Sequence, residues 1–211
     1  MIRILMADDH GIMREGLKQL FALVEDLAVV GEAINGGQVI DAVRKGGFDL
    51  LLLDMNMPGI SGVELIERVL SQQPKLPILV LSMQNEPQIV KRTLKAGAAG
   101  YVTKDSNPDR LLAAIYKVAG GGRYIDPVVA EQLVFEVGND NGAAPRHEQL
   151  TNREFQILKL LANGMGVNQI AAMLSISNKT VSTHKARLME KMAMKTSAEL
   201  VRYALNNGLV D

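Results

Sequence analysis

Polar residues that could bind a metal ion and a phosphoryl group follow four apolar segments in the first half of the chain. The segments span residues 2–7, 50–53, 78–81 and 100–103, and the polar residues at their ends are Asp8 and Asp9, Asp54, Ser82 and Lys104. If the segments are parallel strands, their carboxyl ends share the sheet edge at which ligands bind in open α/β proteins. We therefore expect carboxylates, a hydroxyl and an ammonium group to meet in one site.

The carboxylates of this site would repel one another, so their convergence predicts a bound cation. An all-oxygen cluster suits Mg²⁺ better than a soft metal ion. With the charge neutralised, one carboxylate can attack a phosphoryl group. Asp54 is the best candidate because it ends the most apolar strand. Lys104 would hold the phosphate oxygens by its charge, and Ser82 would donate a hydrogen bond to one of them.

Alternating strands and helices would position these residues. Apolar residues recur at helical spacing between the strand ends, and a further apolar run at residues 27–31 supplies another strand. Five strands and five helices up to about residue 119 predict a doubly wound parallel sheet. We assign residues 1–120 to this flavodoxin-like α/β domain with a five-stranded sheet.

A connecting segment follows the first domain. Glycines occupy residues 120–122, Asp126 and Pro127 begin a further helix, and residues 138–145 are rich in helix-breaking types. We assign residues 121–149 to a connecting helix and a linker.

The chain after residue 150 has the pattern of four helices and no strand. Thr151 and Glu154 have the spacing of a capping box at a helix start. Further along, a turn at residues 175–178 joins a short helix to a longer one that begins at Lys179, and this pair has the dimensions of a helix-turn-helix. The predicted fold is therefore α/β followed by an all-α domain over residues 150–211.

The net charge of zero conceals a difference between the two parts. The chain contains 23 basic residues (Lys and Arg) and 23 acidic residues (Asp and Glu). Residues 146–211 contain nine of the basic residues and five of the acidic ones. Residues 1–145 therefore contain fourteen basic and eighteen acidic residues. A basic second part indicates a polyanionic partner. Because aromatic residues make up only 4% of the chain, a stacking platform for single strands is disfavoured and double-stranded DNA is the expected partner.

The helix from Lys179 carries the candidate DNA contacts. Outward residues near the start of such a helix reach base edges in the major groove. The hydroxyls of Ser182 and Thr183 are the candidates for base contacts, whereas the basic side chains are better suited to phosphates. The complete predicted set is Lys179, Thr180, Ser182, Thr183, Lys185, Ala186 and Arg187.

The composition also bears on the compartment and on other ligand types. The chain has no cysteine, which excludes disulfides and thiolate metal sites. No apolar run approaches the length of a membrane span, and the first residues lack a signal-peptide pattern. We expect a cytoplasmic protein without membrane contact. His10 and His147 have no partner that is evident from the sequence.

Several motifs of the first domain resemble the receiver domain of two-component response regulators. These are Asp8-Asp9, the segment 53–59 (Leu-Asp-Met-Asn-Met-Pro-Gly), Leu81-Ser82 and Lys104. The resemblance covers residues 1 to about 120 and implies that Asp54 accepts a phosphoryl group from a sensor histidine kinase. It also implies that Ser82 turns toward the phosphate and that Tyr101 repacks.

The same resemblance implies how the metal ion is held. Asp9, Asp54 and the backbone carbonyl of Asn56 would bind Mg²⁺, with Asp8 assisting. An enzymatic phosphohydrolase that uses Asp54 as nucleophile is a rival interpretation. It is disfavoured because Asn56 stands where such an enzyme needs an acid–base carboxylate.

The second part resembles the helix-turn-helix of the NarL/FixJ (LuxR-type) regulators. The matching residues are Leu150-Thr151, Glu154, Gly164, Asn168–Ala171, Leu174 and Ser177–His184. Many members carry Lys at the position of Ser182, so we infer no base preference. The resemblance implies that the last helix pairs two DNA-bound subunits through Val201, Ala204 and Leu205, although these residues could instead belong to the core.

Together these patterns predict a DNA-binding response regulator that is not an enzyme with an external substrate. Phosphorylation of Asp54 would shift an equilibrium toward a homodimer that binds specific DNA and controls transcription, with RNA polymerase as a further candidate partner. A regulator that binds DNA independently of phosphorylation is the main alternative.

Overall fold

The structure is a computed structural model that describes residues 1–84, 86–137, 145–174 and 176–210. The chain forms two compact units, which divide between residues 140 and 141. Residues 138–144 of the predicted linker and Ser175 of the predicted turn lie outside the described residues. Within the described ranges, no helix combines the length and the apolar composition needed to cross a membrane.

The first unit alternates strands and helices around one parallel sheet. The strands are β1 (Ile2–Ala7), β2 (Leu27–Ala33), β3 (Leu50–Asp54), β4 (Ile78–Ser82), β5 (Gly100–Thr103) and β6 (Tyr124–Ile125). The helices are α1 (Gly11–Ala22), α2 (Gly36–Lys45), α3 (Gly62–Gln72), α4 (Pro87–Lys95), α5 (Pro108–Ala119) and α6 (Pro127–Val137). The strand order is β2-β1-β3-β4-β5-β6, and all pairings are parallel. The predicted doubly wound parallel sheet is confirmed.

The sheet has six strands, so the prediction of five was wrong by one. The additional strand β6 contains two residues, which pair with Gly100 and Tyr101 of β5. The preceding glycines turn the chain back toward the sheet, and Gly121 has a φ of 83° that favours glycine. A strand of two residues has no measurable hydrophobic period, which explains why the pattern missed it.

The central strands are buried on both faces of the sheet. All residues of β3 and β4 are buried. Leu51 and Leu53 contribute to the core on one face, and Leu50 and Leu52 contribute to the core on the other. Parallel strands covered by helices on both sides need such continuous apolar sequences. This packing fixes Asp54, the last residue of β3, at the carboxyl edge of the sheet.

Helix α6, which we predicted as part of the connecting segment, packs on the first unit. Its Val129 is completely buried in the same cluster as Val90 and Tyr101. Asp126 is the residue before the helix, and its Oδ1 accepts a hydrogen bond of 3.1 Å from the backbone N–H of Val128. The other oxygen, Oδ2, accepts one of 2.5 Å from Ser106 Oγ in the loop after β5.

Replacing Asp126 with Ala should destabilise the first unit. The carboxylate is 1% exposed, and its loss removes a helix cap together with the bond to Ser106. We expect the free energy of unfolding to fall by about 1–3 kcal/mol. Urea unfolding measures this value, and Ser106→Ala should lose less because it leaves the cap in place. Equal losses for the two variants would contradict the assignment of Asp126 as a cap.

The second unit is helical in the residues that the structure describes. A one-turn 3₁₀ helix, Arg146–Gln149, precedes α7 (Asn152–Ala162), α8 (Val167–Met173), α9 (Asn178–Lys191) and α10 (Ser197–Asn206). The predicted capping box is present, since Glu154 Oε2 accepts from the N–H of Thr151 and Thr151 Oγ1 accepts from the N–H of Glu154. This box fixes the start of α7.

Helix α9 is held by packing on one side and by an ion pair at its end. On its packed side, Val181 and Leu188 of the helix and Met192 directly after it are fully buried. Near its carboxyl end, Lys191 Nζ lies 2.7 Å from Oε2 of the buried Glu154 at the start of α7. The opposite face of α9 is consequently presented to solvent in a fixed orientation within this unit.

Candidate functional site

The strand ends that carry the candidate residues meet at the carboxyl edge of the sheet. Asp54 and Ser82 are the last residues of the neighbouring strands β3 and β4, while Asp8 follows β1. Lys104 follows β5, and its backbone N–H donates to the carbonyl of Ser82 at 2.8 Å. The parallel register therefore brings residues from four separate parts of the sequence to one place.

A single ammonium group bridges two buried carboxylates in this site. Lys104 Nζ lies 2.8 Å from Asp8 Oδ2 and 2.9 Å from Asp54 Oδ2. These three side chains are only 2–4% exposed. Asp9 adds a third carboxylate, which is more accessible to solvent. One positive charge faces three carboxylates, so the pocket has an excess of negative charge.

Burial and mutual contacts shift the pKa values of the paired groups. Burial raises the pKa of Asp54, and the neighbouring Asp8 raises it further, although Lys104 opposes the shift. Burial alone would lower the pKa of Lys104, but the hydrogen bonds that its ammonium donates to Asp8 and Asp54 outweigh burial and raise it. Lys104 thus stays charged, and the unbalanced negative charge resides on the carboxylates.

The acidic pocket is compatible with Mg²⁺. Asp8, Asp9, His10 and Asp54 each place one potential ligand atom within 4.8 Å of the others. Their carboxylate oxygens are the hard ligands that Mg²⁺ prefers. The backbone of Asn56 also lies beside the pocket, because its N–H donates to Asp54 Oδ1 at 3.2 Å.

Two histidines have partners that the sequence did not reveal. His10 Nδ1 lies 3.0 Å from an oxygen of Asp8 and 3.0 Å from an oxygen of Asp9. In the second unit, the buried His147 pairs through Nδ1 with the hydroxyl of Tyr203 at 2.9 Å. The position of His10 directly after two aspartates places it near them in the chain but does not specify the direction of its ring. The contact of His147 with Tyr203 joins residues far apart in the sequence and had no local signal.

The backbone of Gln84 connects the two remaining receiver candidates. Its N–H donates to Ser82 Oγ at 3.2 Å, and its carbonyl accepts from the Tyr101 hydroxyl at 2.5 Å. The side chains of Ser82 and Tyr101 are fully buried. Burial raises the pKa of Tyr101 to about 12, so its phenol is a neutral donor. A movement of Ser82 would therefore disturb the loop that Tyr101 holds.

Family models match both units of the chain. Residues 4–116 match the response regulator receiver domain, and residues 148–204 match the LuxR family of bacterial regulatory proteins. The chain is 41% identical to the transcriptional regulatory protein UhpA of Escherichia coli over 96% of this chain and 97% of that protein. The chain belongs to the NarL/FixJ family of response regulators. The predicted family is confirmed.

Other relatives and solved structures agree with this assignment. This response regulator is 36% identical to the response regulator GacA of Pseudomonas aeruginosa over 100% of its own length and 99% of GacA. It resembles a structure of the Salmonella typhimurium RcsB response regulator with a TM-score of 0.63 and 29% identity, covering 96% and 97% of the two chains. An RcsB–DNA complex matches with a TM-score of 0.61 and 29% identity over 96% of each chain. The family consists of transcriptional regulators, which does not favour the phosphohydrolase interpretation.

In this NarL/FixJ regulator, the residues predicted to contact DNA share the solvent face of α9. All are exposed except Lys185, which is partly buried. Thr183 Oγ1 donates to the carbonyl of Lys179 at 2.9 Å, and Thr180 Oγ1 bonds to the capping Ser177 Oγ at 2.8 Å. In this conformation the hydroxyl hydrogen of Thr183 is used within the helix, which leaves its oxygen available as an acceptor.

Removing the charge of Lys179 should weaken DNA binding at all sequences and reduce its salt dependence. A lost phosphate contact lowers the slope of log K against log salt by about 0.9. The slope can be measured on a duplex of arbitrary sequence for Lys179→Ala. Lys75→Ala, which removes an exposed lysine of the first unit, should keep the slope of the unchanged protein. An unaltered slope for Lys179→Ala would exclude this residue from the interface.

The three residues predicted for subunit pairing differ in accessibility. Ala204 is completely buried within the second unit, Val201 is partly buried, and Leu205 is 51% exposed. Leu205 is consequently the one of the three that presents a large accessible apolar surface on α10.

Proposed function

We propose that this response regulator is switched by phosphorylation of Asp54 and that the phosphorylated form binds double-stranded DNA as a homodimer. A sensor histidine kinase would supply the phosphoryl group, and the bound dimer would control transcription through RNA polymerase. The receiver would occupy residues 1–120, the connecting segment 121–149 and the DNA-binding domain 150–211. The buried Asp54, which shares its single ammonium partner with Asp8, is the observation that carries the proposal.

The chemistry is a transfer between two side chains. A carboxylate oxygen of Asp54 forms a bond to phosphorus as the phosphorus–nitrogen bond of the phosphorylated kinase histidine breaks, and the imidazole leaves. Burial on the most apolar strand restricts Asp54 to one orientation, which favours in-line attack. Lys104 would contact the incoming phosphoryl oxygens by its charge, and Ser82 would donate to one of them.

The divalent ion would be held by the acidic pocket. Asp9, Asp54 and the backbone carbonyl of Asn56 would bind Mg²⁺, with Asp8 assisting. Bound there, Mg²⁺ neutralises charge on the carboxylates and on the phosphoryl oxygens. One carboxylate oxygen of Asp8 already pairs with the ammonium of Lys104. This contact supports an assisting rather than a primary role for Asp8 in binding the ion.

The switch would pass through the loop after β4. When the Ser82 side chain turns to donate to the phosphate, its oxygen would move away from the N–H of Gln84, for which it is the acceptor at 3.2 Å. The carbonyl of the same residue anchors the Tyr101 hydroxyl, so Tyr101 would repack. A complete change of population between two states needs a differential stabilisation of about 5.5 kcal/mol. Charge-assisted hydrogen bonds from Ser82 and Lys104 to a phosphate, made in only one of the states, would contribute to this amount.

The DNA-binding step would use α9 in the major groove. A solved structure describes two RcsB dimers bound to DNA, and we extend dimeric DNA binding to this chain. Ser182 and Thr183 would contact bases, with Thr180 and Ala186 lining the interface. Lys179, Lys185 and Arg187 would contact phosphates, and the last helix would pair the subunits through Val201, Ala204 and Leu205, with Leu205 presenting the accessible surface.

Genome-wide capture of DNA fragments by the purified protein tests this proposal. The comparison is made with and without an acyl phosphate as phosphodonor, in the presence of Mg²⁺. We expect enriched sites that appear or strengthen with the phosphodonor and share a two-fold symmetric sequence, as dimer binding requires. Identical maps under both conditions would support the phosphorylation-independent regulator instead.

A further inference from the structure

The imidazole of His10 lies at the mouth of the acidic pocket. His10 is the residue that precedes α1, and its backbone N–H donates to Asp8 Oδ1 at 2.8 Å. This bond directs the ring over the pocket. Nδ1 then lies 3.0 Å from Asp8 Oδ1, 3.0 Å from Asp9 Oδ1 and 3.7 Å from Asp54 Oδ2.

The two shorter separations match the spacing of adjacent ligands around an octahedral ion, and the third lies between the adjacent and the opposite spacing. With bonds of about 2.1 Å, adjacent ligand atoms lie about 3.0 Å apart and opposite ones about 4.2 Å apart. The ring nitrogen is at the adjacent distance from two carboxylates of different residues.

We propose that His10 is a nitrogen ligand of the divalent-ion site and gives that site affinity for transition-metal ions. This inference rests on the proposed function, which places a divalent ion among the same carboxylates. Imidazole suits ions such as Ni²⁺ and Co²⁺, whereas Mg²⁺ prefers oxygen and keeps water in its shell. The side chain of His10 is 62% exposed, so water can take its place when Mg²⁺ binds. The residue therefore sets which metal ions the receiver accepts.

Metal titration of the untagged full-length protein tests the inference. Affinities for Ni²⁺ and Mg²⁺ are measured by calorimetry without phosphodonor, at about pH 8 so that ordinary histidines are neutral. Loss of a direct ligand in His10→Gln should weaken Ni²⁺ binding by at least about tenfold, as even outer-shell substitutions do. The affinity for Mg²⁺ should change by less than about threefold, because oxygen ligands dominate its shell.

Pulsed electron paramagnetic resonance of bound Mn²⁺ gives a second readout that does not depend on affinity. We expect nitrogen coupling from a coordinated imidazole in the unchanged protein and its loss in His10→Gln. An unchanged Ni²⁺ affinity in that variant would overturn the inference. A rise in both affinities would also overturn it, because His10 would then compete with the metal for the carboxylates.

Asp9→Asn separates this inference from the function on which it rests. If this variant weakens Mg²⁺ binding while His10→Gln leaves Ni²⁺ binding unchanged, only the role of His10 is wrong. If Mg²⁺ binds neither the unchanged protein nor the variants, the metal site of the proposed function is wrong as well. Binding of Ni²⁺ at His147 or His184 would persist in Asp9→Asn, which identifies any contribution from outside the pocket.

Discussion

Asp54→Asn is expected to abolish incorporation of phosphate from an acyl phosphate in the presence of Mg²⁺. The amide has nearly the same shape as the carboxylate but is a poor nucleophile, and it removes one of the negative charges that face Lys104. Intact-protein mass spectrometry after exposure to the phosphodonor measures the result. Asp49→Asn is the matched control, since Asp49 is 41% exposed and pairs with Arg3 away from the pocket.

The control should incorporate phosphate to the same extent as the unchanged protein. Phosphate that appears in Asp54→Asn at the level of the Asp49 control would show that the acceptor is another residue. The amount incorporated should also fall when Mg²⁺ is withheld, because the carboxylates then repel the phosphoryl oxygens.

The same substitution has an expected effect on stability that depends on pH. Burial raises the pKa of Asp54 in the folded protein. Its protonated form therefore contributes stability that is fully present below the pKa that Asp54 has in the unfolded chain. This contribution is lost as the pH rises through the folded-state pKa. Asn cannot ionise, and Asp54→Asn should therefore be more stable than the unchanged protein at neutral pH without Mg²⁺.

Urea unfolding at a series of pH values tests this expectation. The advantage of Asp54→Asn should shrink as the pH falls toward the ordinary range of aspartate. A less stable variant at neutral pH would mean that the contact with Lys104 outweighs the cost of burying the carboxylate.

Lys104→Met is expected to cause the largest loss of stability among the site variants. The substitution keeps the length of the side chain but leaves the buried carboxylates of Asp8 and Asp54 without their common partner. Removing one member of a buried ion pair typically costs about 3–5 kcal/mol. Urea unfolding in the presence of a chelator measures the loss, and added Mg²⁺ should recover part of it by supplying the missing positive charge.

Lys18→Met provides a control with the same chemical change. Lys18 also pairs with two carboxylates, those of Glu15 and Glu32, but these groups lie in solvent. Exposed ion pairs contribute little to stability, so this variant should lose much less. Comparable losses for the two variants would contradict the view that Lys104 stabilises a buried, highly charged site.

The convergence of Asp54, Ser82 and Lys104 was predictable because it follows from topology. Parallel strands joined by helices must end at one edge of the sheet, and apolar runs reveal where such strands end. Helical spacing likewise identified the buried side of α9, because Val181 and Leu188 fall on one face.

Features that depend on individual side-chain directions were not predictable from the sequence. The contacts of His10 with two aspartates depend on how its backbone N–H is bonded to Asp8. The link from Ser82 to Tyr101 runs through the backbone of Gln84, whose hydrogen bonds have no sequence signature. Ala204 and Leu205 are adjacent apolar residues, and only the packing of α10 distinguishes the buried one from the exposed one.

The central claim is that modification at Asp54 controls the proposed binding of helix α9 to DNA. The most direct test measures the dissociation constant for one captured DNA site, with and without phosphodonor, for the unchanged protein and for Asp54→Asn. The account predicts that phosphodonor tightens binding of the unchanged protein by at least about tenfold, or about 1.4 kcal/mol, and leaves Asp54→Asn unaffected. Equal affinities of the phosphorylated and unphosphorylated protein, or equal stimulation of Asp54→Asn, would contradict it.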